Sequence, residues 1–573
     1  MQTAVLSLRG FPLYEQISLN KPPLLTWWLQ LFFHIIGPTV EAARLAILLL
    51  STLGLVTLGA LAAPWWGHWA GPLTLLCFLL LPDSLVRGTF ATHDIPGMTL
   101  MIAALFAATL FRHQHLWAWA ALSGACFGLG VGIHPLLIYM LAPVGLVLLS
   151  TAVLAKQWTQ ILITVALFGC TVVAVTLAWF ITVTWDGFAY WVINYNTAPL
   201  DATLSTVAAK NGQKIATAFQ EQIILVLAAV CGGYLLWRQR PYRFWVGISL
   251  IWLIVTVITL SQLQPMWEHY LFFITYPLVL LAGGGLMAAI KQFRQRATAV
   301  KILSGLTILL FAIFAISNLL KDREWGIWPE EHRKIQSFLQ SELEPGSFII
   351  SDEPFLVFAS GHLVPPSIAD SSTKRIATGF LGLTDVVNAT LRQQVPYGLW
   401  GDGRFQQLPA LTTWAESAMT RQKNLDNLTF YHFENIPLEQ QLSARLEPGI
   451  YLLGYTIHPS ASNDTLTMTL FWQTEVRLPA DYNIFLHILD DQGHLLTQYD
   501  GDPLQGWLPT TAWETDVVVP HTAVIPLPPD IPASYTIVTG MYTWPDVVRL
   551  AAFNQDGSPL PQDLIPVTTV TTP

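Results

Sequence analysis

Charge is scarce in this chain of 573 residues: only 11% are Asp, Glu, Lys or Arg, and the first 320 residues hold just 8 acids. So little charge cannot wet a whole surface, which excludes a wholly soluble globular protein and points to a membrane protein with a soluble part attached. Cysteine is scarcer still. The four present, Cys77, Cys126, Cys170 and Cys231, all lie in apolar runs, so there is no disulfide framework and no CxxC metal site. A concentrated basic face is also missing. Residues 1–320 hold 15 Lys and Arg against 8 acids, and residues 321–573 hold 13 against 29. The first excess belongs to loops between apolar runs and the second to a soluble acidic surface, so nucleic acid is excluded as a partner. No signal peptide stands at Met1, and no low-complexity tract or solenoid repeat follows it.

What is abundant is apolar: 53% of the residues are hydrophobic and 23 are Trp. Ten runs read as candidate spans, at about 41–62, 68–82, 95–111, 116–133, 135–153, 158–183, 220–237, 244–262, 270–290 and 300–319. An earlier stretch, 22–37, is broken by Pro22, Pro23 and His34 and reads as an interfacial helix or a re-entrant piece in preference to a span. Alternate loops collect Arg112, Lys156, Arg238, Arg240, Arg243, Lys291, Arg294, Arg296 and Lys301, whereas the opposite set has Arg87, Lys210 and Lys214. The richer set belongs inside the cell. The loop at 87–96, the long loop at 184–219, the 264–270 loop and everything after 320 are then extracytoplasmic, and the protein is a multi-pass protein of the cell membrane.

After Leu320 the pattern changes. Helical periodicity at 331–343 and short apolar strands at 348–350 and 397–400 suggest a small α/β domain over 321–445. Alternation at 465–470 and 482–489, with a turn at 490–493, predicts an antiparallel β-sandwich over 446–573. The fold class is thus a multi-pass α-helical membrane domain over 1–320 followed by those two domains. Trp472, Trp507 and Trp513 read as core packing in preference to carbohydrate contact. The Asn-x-Ser/Thr matches at Asn388, Asn427 and Asn463 are chance-level motifs.

The polar groups able to carry chemistry gather in the outer loops. Asp94, in the loop Arg87-Gly88-Thr89-Phe90-Ala91-Thr92-His93-Asp94-Ile95-Pro96, sits where two apolar runs meet water. A carboxylate at the rim of hydrocarbon needs a partner, a metal or water. It serves either as the cap of the helix that Ile95-Pro96 begins or as a catalytic acid, and the two are compatible. Glu15, Lys21, Arg87, His93, Glu268, His269 and Tyr270 share that face. A reaction between a lipid-linked phosphate and a water-side acceptor needs a carboxylate as general base or as ligand of a divalent metal ion. It also needs cations to stabilise the leaving phosphate. Asp94 and Glu15 suit the first role, and Lys21, Arg87 and His269 the second. Against this, Glu15 reads as a solvated loop acid, Lys21 and Arg87 as snorkelling interfacial cations, and Glu268–His269 as a structural pair.

The run Gly10-Phe11-Pro12-Leu13-Tyr14-Glu15 through Asn20-Lys21-Pro22-Pro23-Leu24-Leu25-Thr26-Trp27-Trp28-Leu29-Gln30, followed by Ala43-Arg44-Leu45, resembles the segment after the first outer loop of glycosyltransferase family 39. These are membrane enzymes of the GT-C superfamily, of the protein mannosyltransferase and aminoarabinose transferase kind. Thr92-His93-Asp94-Ile95-Pro96 resembles that family's second acidic motif, and His269-Tyr270-Leu271 with Pro277 its late helix start. The resemblance covers roughly residues 8–290. It implies transfer of a sugar from a polyprenyl-phosphate-linked donor to a lipid, glycan or protein acceptor on the outer face. The family's leading helix and its Asp-Glu pair would lie ahead of Met1, so the resemblance implies an inactive short form unless an upstream extension supplies them. Where many members read Lys-Gly-Pro, this chain has Ile133-His134-Pro135, so His134 either replaces the cation or caps a helix. The soluble tail resembles extensions of some bacterial members. Another reading, a transporter or flippase of a polar lipid, uses the same charges for passage instead of chemistry, and ionisable residues within the spans would favour it. A third makes the membrane part an anchor for the sandwich.

Overall fold

The computed structural model of the chain describes residues 1–81, 84, 87–200, 204–293, 298–320, 330–458 and 464–571. Pro82, Arg294, Arg296 and Asn463, used above, lie outside the described residues. The chain forms two compact units, Met1–Arg333 and Lys334–Pro573.

The first unit is helical, and among the described residues seven helices are long and apolar enough to cross a membrane. They are Val40–Trp66, Asp94–Gln114, Pro135–Leu154, Trp158–Phe180, Arg240–Ser261, Glu268–Gln292 and Thr298–Leu319. The chain is therefore a multi-pass membrane protein. The runs at 68–82, 116–133 and 22–37 form shorter apolar helices, Ala70–Leu79, Trp117–Ile133 and Leu24–Ile36. Glu268–Gln292 is apolar all round and 94% buried over its span window, whereas Trp158–Phe180 is 6% buried. The first is thus the centre of the bundle and the second a lipid-facing helix. Close crossing at the centre depends on small residues: the backbones of Gly232 and Gly285 meet with no room for a side chain on either.

One stretch departs from the sequence reading. Most of 184–219, predicted as a loop, is helical, ending in Leu204–Glu221, and Thr206–Glu221 bends by 80° into Ile223–Trp237. Its polar composition conceals a one-sided burial pattern: Val207, Asn211 and Ile215, spaced by four, are the buried positions. Asn211 Nδ2 donates to the carbonyls of Leu260 (3.2 Å), Ser261 (3.2 Å) and Leu263 (2.8 Å), satisfying orphan acceptors at the end of Arg243–Ser261.

Helix Glu330–Glu342 runs across the boundary into the second unit, which then holds a mixed sheet of β1 (Ile350–Ser351), β2 (Tyr397–Gly401), β3 (Met419–Leu425) and β4 (Leu428–Phe433). Its order is β1-β2-β4-β3, with β1 parallel to β2 and the other pairs antiparallel. The sandwich then starts at β5 (Gln440–Leu446). A five-stranded sheet, β10-β7-β6-β5-β12, combines β5 with β6 (Ile450–His458), β7 (Thr465–Thr474), β10 (Val519–Pro526) and β12 (Ala552–Asn554). It faces a four-stranded one, β13-β11-β8-β9, made of β8 (Tyr482–Leu489), β9 (Leu495–Gly501), β11 (Ser534–Thr543) and β13 (Ile565–Thr571). The alternation that predicted β8 and its turn is realised: Asp490 accepts from the backbone N–H of Gln492 and of His494, both at 2.8 Å. One buried core runs from Ile350, Trp400 and Trp414 through Trp472 and Leu486 to Ile537. Helix Leu383–Arg392 is tied to the sandwich by Asn388 Nδ2 donating to Ala512 O at 2.8 Å and by Arg392 to Glu514 at 2.8 Å. Asn388 is buried by that bond, so its glycosylation motif is structural, while Asn427 is exposed at the β3–β4 turn. Trp472 is fully buried, Trp513 donates to Leu508 O from the core, and Trp507 is half-buried beside a cleft.

Candidate active site

Asp94 is the first residue of helix Asp94–Gln114, whose first turn holds Pro96 with its preset φ and no N–H to satisfy. The cap position falls to His93, whose side chain makes no capping bond. The Asp94 carboxylate turns away to two histidines instead. Its Oδ1 lies 3.1 Å from His134 Nε2 and its Oδ2 lies 3.7 Å from His269 Nε2. Asp94 is 7% exposed and His134 only 1%. A carboxylate at that depth needs such donors.

Each partner is delivered by a local break in a helix. His134 precedes Pro135, which disfavours helical geometry, and the residue is extended at φ −140°, ψ 93° between Trp117–Ile133 and the 3₁₀ turn Pro135–Met140. It reaches Asp94 because residue 97 is glycine: a β-carbon there would stand 3.0 Å from His134 Cβ and 2.8 Å from Leu137 Cδ1. The ionised Asp94 is acceptor only, so His134 carries its proton on Nε2, and its buried Nδ1 has no hydrogen-bond partner among the described residues. His269 and Tyr270 sit on the 3₁₀ turn Glu268–Ile274 that opens the central helix. Tyr270 meets both imidazoles edge-on, at 4.5 Å from His269 and 5.5 Å from His134.

The remaining candidates divide. Lys21 follows a turn in which Tyr14, at φ 69°, donates its hydroxyl to Lys21 O at 2.8 Å. Asn196 Nδ2 bonds Asn20 O at 2.9 Å, so segment 185–197 braces this turn. The Lys21 charge acts on His93, His134 and His269, placing it among them. Arg87 lies over the Phe272 ring at 5.7 Å and acts on His269. Glu268 is exposed and turned to the cleft described below, so the Glu268–His269 pair expected from adjacency gives way to His269–Asp94: neighbouring residues project in different directions. Glu15 is exposed in the turn after Tyr14, and among the described residues no bond or ion pair joins it to Asp94.

The sequence reading passed over Lys214 as a participant, using it only to orient the loops. With Arg87, Glu221 and Glu268 it lines a polar cleft of about 420 Å³. That cleft shares Glu221, Gln222 and Phe272 with a more apolar one of about 310 Å³, walled by Leu81, Ile223, Leu225 and Phe314. Among the described residues no group of three or more His, Cys, Asp or Glu is arranged to hold a metal ion.

Residues 20–179 match the family model described as dolichyl-phosphate-mannose-protein mannosyltransferase. No curated protein matches the chain. Among solved structures, ArnT from Cupriavidus metallidurans bound to undecaprenyl phosphate aligns with TM-score 0.50 and 14% identity over 75% of this chain and 92% of its own. The oligosaccharyltransferase AglB from Archaeoglobus fulgidus, in complex with an inhibitory peptide and a dolichol-phosphate, aligns with TM-score 0.42 and 11% identity over 94% and 91%. The mycobacterial arabinofuranosyltransferase AftD gives TM-score 0.40 and 12% identity over 99% and 59%. The resemblance to glycosyltransferase family 39 and the GT-C superfamily is borne out. So is the fold class, a multi-pass helical domain followed by a β-rich part.

Proposed function

We propose that this chain is a membrane glycosyltransferase that moves a sugar from a polyprenyl-phosphate donor to a lipid, glycan or protein acceptor on the extracytoplasmic face. The observation that carries this is the shape of the paired clefts. A polar chamber lined by the cations Arg87 and Lys214, with the carboxylates Glu221 and Glu268 on the same walls, continues at Glu221, Gln222 and Phe272 into a more apolar one. That is the form of a phosphate joined to a long hydrocarbon chain. Charge-assisted bonds from the two cations suit the phosphate, and the apolar walls suit the isoprenoid.

In the reaction the acceptor hydroxyl oxygen attacks the anomeric carbon. The bond from that carbon to the phosphate oxygen breaks, and the lipid phosphate leaves with its electron pair. Asp94 takes the hydroxyl proton as general base, with His134 holding the carboxylate in one orientation and His269 on its other oxygen. Arg87 and Lys214 stabilise the charge growing on the phosphate. Lys21, near the same histidines, adds positive potential.

The test is transfer of labelled sugar from a panel of synthetic polyprenyl-phosphate sugars to membrane extracts by the purified chain in proteoliposomes. Label recovered in acceptor, with release of polyprenyl phosphate, is the expected result. Movement of intact donor across the bilayer with no transfer would instead establish a flippase and overturn the proposal.

A further inference from the structure

The second unit contains a cleft that the transfer reaction does not use. Its volume is about 670 Å³, within the roughly 300–1,000 Å³ of ligand sites generally. One wall comes from the α/β part and includes Trp414, Glu434 and Asn435, and the other comes from the sandwich and includes Phe471, Gln505 and Trp507. Trp414 is fixed by stacking on Phe433, with ring centroids 5.1 Å apart and planes 24° from parallel. Trp507 is half-buried, while Glu434, Asn435 and Gln505 are exposed at the rim.

Charge narrows the ligand. Among the described residues lining the cleft, Glu434 is the one ionisable side chain and there is no Lys, Arg or His. A phosphate, sulfate or nucleotide would therefore find a carboxylate where it needs a cation. The groups that are present are aromatic faces, which attract the slightly positive C–H bonds of an apolar ring face, and amides, which both donate and accept hydrogen bonds. A sugar ring offers C–H bonds on its face and hydroxyls around its edge.

The backbone supplies an independent sign. Leu504, Gln505 and Gly506 are three successive left-handed residues, with φ of 47°, 57° and 86°. Glycine adopts that region freely, but leucine and glutamine do so at a cost. The loop is held there by three bonds. Leu504 N–H donates to the buried His521 Nδ1 at 3.3 Å, Gln505 N–H to Asp502 O at 3.0 Å, and Trp507 N–H to Leu504 O at 3.1 Å. Conformations of this kind persist at ligand clamps, where the surroundings over-determine them. Here they set Gln505 and Trp507 on the cleft wall.

We propose that this cleft binds a neutral oligosaccharide, with a sugar ring on the half-exposed face of Trp507 and hydroxyls on Gln505, Asn435 and Glu434. The proposal stands apart from the transferase reaction and needs no lipid donor.

The test uses the full chain in nanodiscs without donor. Maltotriose, mannotriose, cellotriose and chitotriose are titrated, with a sulfated trisaccharide and an unstructured peptide as controls. Binding is read by saturation-transfer NMR and by tryptophan fluorescence. At least one neutral trisaccharide is expected to bind saturably, and Trp507→Ala and Gln505→Ala should each weaken it by at least about tenfold. Gln505 is exposed, so its variant keeps the fold even if loss of the tryptophan does not. Absence of any neutral-sugar binding would overturn the proposal. Equal or better binding of the sulfated sugar or the peptide, or binding that survives Gln505→Ala, would do the same.

Discussion

The Oδ1 of Asp94 and the Nε2 of His134 lie 3.1 Å apart although 40 positions separate them in the chain. The bond converts an acid at the start of a helix into an oriented one, and it fixes what loss of either member should do. Asp94→Asn keeps the size of the side chain and an oxygen to accept from His134, but loses the negative charge that accepts a proton. Sugar transfer should fall at least about tenfold, ~1.4 kcal/mol of transition-state stabilisation, at equal membrane levels of protein. Turnover equal to that of the parent would reduce Asp94 to a structural residue.

His134→Ala should act differently, because His134 only positions the carboxylate. We expect kcat to drop while KM for the donor stays within about twofold of the parent. A rise in KM with unchanged kcat would mean that His134 contacts the donor.

Arg87 and Lys214 should show the opposite pattern. Each is assigned a charge-assisted bond to phosphate, of about 1.5–3 kcal/mol. Arg87→Ala and Lys214→Ala should thus weaken binding of polyprenyl phosphate by about tenfold or more, measured by competition with labelled donor. Wild-type affinity in both variants would remove the polar chamber from the donor site.

The proposed face of the membrane is open to direct chemistry. Lys210, on the helix before the bend, and Gln492, at the turn after β8, are both exposed. Cysteines placed at either should react with an impermeant thiol reagent in intact cells. Labelling only after lysis would reverse the orientation.

A buried acid in the second unit gives a pH dependence with a defined sign. Asp352 is fully buried; its Oδ2 accepts from Phe405 N–H at 2.8 Å, and its Oδ1 has no hydrogen-bond partner among the described residues. Burial pushes its pKa up, against the opposing pull of the Phe405 N–H bond and the nearby Arg404. The folded state therefore holds a proton that the unfolded state releases first, so this group's contribution to stability falls as pH rises from the ordinary carboxyl range through its raised folded value. Asp352→Asn keeps an acceptor for Phe405 and removes the charged form. The variant should unfold at a higher temperature than the parent at neutral pH, with the gap closing in acid. A gap that widened in acid would mean the carboxylate is stabilised when charged.

The sequence made the spans and strands legible because each rests on a local pattern. Apolar length is enough for Val40–Trp66, and alternation is enough for β7, where Leu466, Met468 and Leu470 all point into the core. Asp94 was legible for the same reason, as an acid directly ahead of an apolar run. Its partners were not. His134 reads as a residue before a proline and His269 as a neighbour of Glu268; their meeting at Asp94 depends on Gly97 and on packing of the central helix, which no local pattern records. Lys214 was hidden because a polar surface helix looks like a loop until burial at every fourth position is seen.

The continuous core of the second unit, pinned by Asn388 to Ala512 and by Arg392 to Glu514, limits how this protein can be cut or recombined. Removing the sandwich alone would bare the apolar side of Trp414 and Leu411 and strand the Asn388 amide without its acceptor. Chimaeras that exchange residues 334–571 as one block keep that interior sealed, whereas those joined near residue 440 open it.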